Sequence, residues 1–76
     1  MANKAKISYM IGCQMEIIEG LDRSLKVLRE EADREMLYTH LSEHSPYYEK
    51  AIDQLETRRK LALARIDVLN RALAKE

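Results

Sequence analysis

Only one place in this 76-residue chain obliges the backbone to change direction, and that is Ser45-Pro46. Proline inside a helix removes a hydrogen bond and clashes with the preceding turn, but it fits the first helical position, and serine just before it is a favoured N-cap. A helix is therefore expected to start at Pro46. Glu49 falls in its first turn, where a carboxylate complements the positive helix end. A full capping box would need the acid at position 48, which is Tyr48, so that signal misses by one residue.

Apolar residues recur in 3-4 steps on both sides of the break. Before it they run through Ile11, Gln14, Ile18, Leu21, Leu25, Leu28 and Ala32, then meet Glu35 and Thr39. After it they run through Tyr48, Ile52, Leu55, Arg59, Ala62, Ile66, Leu69 and Leu73. Such spacing keeps every member on one helical stripe, and its length favours coiled-coil packing over strands. Acid-to-base pairs four apart support the exposed faces: Glu19 with Arg23, Asp22 with Lys26, Glu30 with Arg34, Glu56 with Lys60 and Asp67 with Arg71. The spacing predicts helices over about 4–43 and about 46–74 joined by a turn near 44–46.

So short a connection makes the helices antiparallel. The expected fold is a single all-α domain, a coiled-coil-like helical hairpin in which facing residue numbers sum to about 91. That register sets Leu25 against Ile66, Leu21 against Leu69 and Ile18 against Leu73, and brings Glu35 close enough to pair with Arg59 as a polar layer fixing register.

Two helices can each bury only one stripe against the other, yet a second stripe is present. Helix 1 carries Met10, Cys13, Ile17, Gly20, Ser24 and Val27 beside the seam, and helix 2 carries Leu61, Val68 and Ala72, interrupted by Arg65. The same register leaves residues before about 14 without anything opposite, although they include Ile7, Tyr9, Met10 and Ile11. A buried contact with another chain is expected at the termini end, through Ile7, Met10, Ile11, Cys13, Ile17, Gly20, Val27, Leu61, Val68 and Ala72. At roughly 1.5 to 2 kcal/mol each, the larger side chains would gross about 10 kcal/mol before association costs. A core of this size rarely supplies more than about 3 to 5 kcal/mol alone, so the contact matters. Closed homodimers are the commonest assembly, which makes a twofold dimer forming a four-helix bundle the expected solution, with a different protein on the stripe as the second.

Chemistry-bearing residues are few. Cys13 is the only cysteine, which excludes an intramolecular disulfide and fits a reducing, cytoplasmic setting. The hairpin puts it at the far end from both histidines, so it reads as a small buried apolar residue. His40 and His44 have the spacing of two metal ligands on one face, but His44 falls where helix 1 should end, and histidine is common there because it complements the negative helix end. No metal or cofactor is expected. The sequence has no glycine-rich phosphate loop, nucleophile triad or metalloprotease motif, and a two-helix pair offers no deep pocket, so an enzyme is not expected. The lysine-led apolar N-terminus is interrupted by Gln14 and Glu16 and is not expected to be a signal peptide, nor does any run approach the length of a membrane span.

Thirteen basic and thirteen acidic residues balance, with 6 and 8 over residues 1–44 and 7 and 5 over 45–76. That argues against a nucleic-acid partner attracted by net field. Tyr38, Tyr47 and Tyr48 gather around the turn, with Met36, Leu37 and Leu41 nearby, and are expected to cap the loop end of the core, a second recognition patch being the alternative.

The leading functional expectation is a small protein-interaction module: an adaptor, co-chaperone or inhibitor that presents an apolar helical surface to itself or to another protein. In plan it resembles the small helical-hairpin co-chaperones of secretion-needle subunits and the tiny helical proteins with which phages block host machinery, a likeness of architecture that carries no motif. The alternative is RNA binding by a dimeric four-helix bundle, similar in plan to plasmid copy-number regulators, with Arg58, Arg65 and Arg71 on the phosphate backbone.

Overall fold

A computed structural model describes residues 3–75, and all of its regular structure is helical: α1 spans Asn3–Thr39 and α2 spans Pro46–Ala74. The two helices pack against each other as a hairpin, a rod with extents of 59 × 14 × 13 Å. At about 1.5 Å per residue, 37 residues account for nearly all of that length.

α2 starts at Pro46 as the sequence requires, with Ser45 as its N-cap and the Glu49 amide donating to the Ser45 carbonyl at 3.0 Å. The serine hydroxyl makes no cap bond and is buried without a partner. α1 ends at Thr39, four residues before the expected 43. His40 takes a left-handed backbone with φ 57°, a conformation that histidine enters more readily than most residues, and the helix cannot continue through it. Residues 41–45 then form a loop. His44, expected at the end of helix 1, belongs to this loop, and its Nε2 lies 2.7 Å from Asp33 Oδ1, tying the loop back onto α1. The Thr39 hydroxyl donates to the Glu35 carbonyl at 2.8 Å, and Thr39, expected on the seam, is exposed.

The longer loop moves the register. Arg29 pairs with Glu56 at 2.6 Å and Arg59 with Asp22 at 2.7 Å, so contacting residue numbers sum to 85 and 81 rather than 91. The slip is on the order of one heptad, and a seven-residue slip leaves the same stripes facing each other. The seam is therefore made of the expected residues with different partners: Ile11, Gln14, Ile18, Leu21, Leu25, Leu28, Ala32 and Glu35 are buried or half-buried, and so are Tyr48, Ile52, Leu55, Arg59, Ala62, Ile66, Leu69 and Leu73. The expected Glu35–Arg59 pair is replaced by Asp22–Arg59. Asp22 and Glu56, expected to serve lysines on their own helices, turn across the seam to arginines, while Asp67 and Arg71 pair within α2 at 2.8 Å as anticipated.

Among the described residues, only Leu25, Ala32 and Ala62 are buried. Two of the three are alanines, so the helices approach closely there but bury little apolar area. The Gln14 side-chain oxygen lies buried in the seam without a partner, so that, with the Ser45 hydroxyl, each end of the hairpin has one unsatisfied polar atom.

Candidate interaction surface

Seven-residue steps keep a side chain on one side of a two-helix coiled coil. On α1 the series Met10, Ile17, Ser24, Glu31 and Tyr38 flanks the seam, with Cys13, Gly20 and Val27 one position further round. On α2 the series Ala51, Arg58, Arg65 and Ala72 flanks the same side, with Tyr47, Leu61 and Val68 further round. The two cross-helix ion pairs lie on the opposite side. The hairpin thus has one side laced by charge across the seam and one side, the first, that carries more apolar residues and is interrupted by Glu31, Arg34, Gln54, Arg58 and Arg65.

On that apolar side, Met10, Ile17, Val27, Leu61 and Val68 are exposed, from 43% at Met10 to 62% at Val68. Cys13, Gly20 and Ala72 are half-buried along the edge of the seam. Ile7 and Ile11 are also half-buried, for a different reason: both continue the seam stripe. The shifted register puts Ile11 near the end of α2, where it lines a groove of about 480 Å³ with Met15, Ile18, Leu63, Ile66 and Asn70. The unpaired overhang of α1 is accordingly shorter than expected.

That groove is on the charged side, and its exposed members Met15 and Leu63 are absent from the sequence-based surface. They flank the seam at seven-residue intervals from Asp22 and Glu56, and their heptad positions would have revealed them. At the loop end the expected capping is met by Tyr48 alone of the tyrosines, which packs inward, whereas Leu37, Tyr38, Leu41 and Tyr47 are 54% to 80% exposed. Tyr47 and Tyr48 meet edge to face with centroids 5.1 Å apart. Partial desolvation raises the Tyr48 phenol above its ordinary value of 10.0, helped by the Glu31 and Glu35 carboxylates and by Tyr47, and opposed by Arg34. At the other end, a side-chain hydrogen bond with Cys13, and then the charge of that thiol, raise Tyr9.

Arg58 and Arg65 share a stripe on the apolar side, both exposed. Arg71 is about 100° away from it and held by Asp67, so the three arginines do not form one basic track. His40 and His44 are separated by the end of α1, and among the described residues no three histidine, cysteine or carboxylate side chains are placed to hold a metal ion. No helix among them is long and apolar enough to cross a membrane.

No family profile, no curated protein and no solved structure matches this chain.

Proposed function

We propose that the chain is a non-catalytic protein-interaction module whose working surface is the apolar side running from Met10, Ile17 and Val68 past Leu61 and Val27. One observation carries this: the described hairpin buries only Leu25, Ala32 and Ala62, while these five large side chains stay 43% to 62% exposed on one side. Scattered exposed apolar residues are ordinary, but large apolar side chains gathered on one side, here interrupted by Arg58 and Arg65, mark a site of macromolecular contact. Small residues at Cys13, Gly20 and Ala72 border the face and leave room for another helix to approach closely.

Affinity capture with wild-type chain and with Ile17→Asp, each carrying a photo-crosslinker beside Val68, tests the proposal. Crosslinks to a protein, including the chain itself, that the aspartate abolishes support an interaction face. Equal crosslinking by both, or a salt-sensitive nucleic-acid adduct through Arg58 and Arg65, contradicts it.

A further inference from the structure

We propose that the apolar side is covered by a second copy of the chain lying antiparallel to the first, the loop end of each against the termini end of the other. This rests on the interaction-face reading above and names its occupant.

The first argument is charge. Folded into a rod, the neutral chain has an acidic end: residues 30–54, the loop end, carry two cations and seven carboxylates, the middle (22–29 and 55–61) six cations and two carboxylates, and the termini end (3–21 and 62–75) five cations and three carboxylates. The loop end is therefore net −5, the middle +4 and the described termini end +2, with histidines neutral. Side-by-side parallel packing would set two acidic loop ends together, whereas antiparallel packing sets each against the mildly basic termini end of the other, and avoiding like charge in this way fixes orientation.

The second is area. A compact chain of 8.9 kDa exposes about 4,800 Å², and this one exposes 6002 Å². Two copies closing into a compact body of twice the mass would expose about 8,000 Å², burying about 4,000 Å² in total, within the range of obligate dimers.

The third is the placement of exposed side chains. Tyr38 and Tyr47 lie on the same side of the rod as Met10, Ile17, Leu61 and Val68, but at its other end. A twofold axis passing near Val27 and Leu61, mid-rod, brings the loop-end tyrosines of each copy over the Met10 and Ile17 region of the other. It also puts Glu31 of one copy at the height of Arg65 of the other, an acid and a base among the charges, with Arg34 and Arg58, that interrupt the apolar side.

Cross-linking reads the orientation directly. In the antiparallel arrangement the two Cys13 residues stand on the order of 35 Å apart, beyond any short linker, while two residues at position 27 flank the axis. A short bismaleimide should join Val27→Cys chains in a Cys13→Ser background and leave wild-type chains unjoined. The charge test uses Glu31→Arg and Arg65→Glu: each alone should weaken dimerisation by about tenfold or more, and the double reversal should recover it to within about threefold. Linkage through Cys13 but not position 27, or no rescue by the double reversal, overturns the antiparallel pairing and leaves the interaction face standing. A chain that stays single and yet is captured by another protein through Ile17 overturns self-pairing alone. Loss of every contact at that face overturns both.

Discussion

Arg59 Nε donates to Asp22 Oδ1 at 2.7 Å, and by doing so the one basic member of the α2 seam reaches out of the helix interface to a carboxylate on its charged side. The Arg59 side chain is 40% exposed and Asp22 50%, so the pair is screened by solvent and contributes on the order of 0 to 1 kcal/mol. Its larger effect is on register, because a polar residue in the seam favours the offset that gives it a partner, here Asp22.

Replacing it by an apolar residue should therefore raise stability while loosening register. Arg59→Leu is expected to gain about 1 kcal/mol in urea denaturation, and Gln14→Leu about the same, since the Gln14 oxygen has no partner in the seam. Arg59→Leu should also broaden amide resonances as alternative offsets become populated, and Gln14→Leu should not.

Leu25 is 2% exposed and is the only large side chain buried by the described hairpin. Leu25→Ala should cost about 2 to 5 kcal/mol, more than any other single truncation along the seam, measured by urea denaturation. A comparable loss at half-buried Leu21 or Leu69 would mean the core is centred elsewhere.

The two helical glycines should separate folding from association. A Cβ on Gly12 would meet nothing within 4 Å, and one on Gly20 only the Arg23 guanidinium at 3.8 Å, so each Gly→Ala change should stabilise α1 by about 1 kcal/mol. Gly20 borders the apolar side between Cys13 and Val27. Gly20→Ala is expected to weaken self-association in light scattering although it stabilises the helix, while Gly12→Ala leaves association unchanged.

Tyr48 should make the loop end sensitive to alkali. Its phenol is raised in the folded chain above the ordinary 10.0, so the stability it supplies is complete below pH about 10 and is lost as pH climbs through the higher folded value, where the unfolded chain ionises first. Wild type should lose more melting temperature than Tyr48→Phe between pH 8 and strongly alkaline solution. Equal losses would show that Tyr48 titrates as a free phenol.

Much of this fold can be read from spacing alone. The 3-4 stripes identify the seam because helical period is a local property, and Pro46 marks the start of α2 because its missing N–H is a local fact. The end of α1 was not legible: it depends on His40 adopting a left-handed backbone and on His44 finding Asp33, and neither leaves a mark in the pattern of apolar residues. A loop lengthened by a few residues then changed every cross-helix partner while keeping every stripe. The acidity of the loop end was hidden for a similar reason. Cutting the chain into consecutive halves averages charges that the hairpin separates, since residues 30–54 span both helices and come together only when the chain doubles back. Met15 and Leu63 were missed because they flank the seam on the side that the ion pairs dominate further along.

Sedimentation equilibrium of the full chain across the micromolar range most directly tests whether the apolar side is covered by a second chain. The account predicts twice the chain mass for wild type, a shift toward the single-chain mass for Ile17→Asp, and loss of cooperative melting in that variant. A wild-type chain that holds its single mass throughout, fully helical and melting cooperatively, would contradict it.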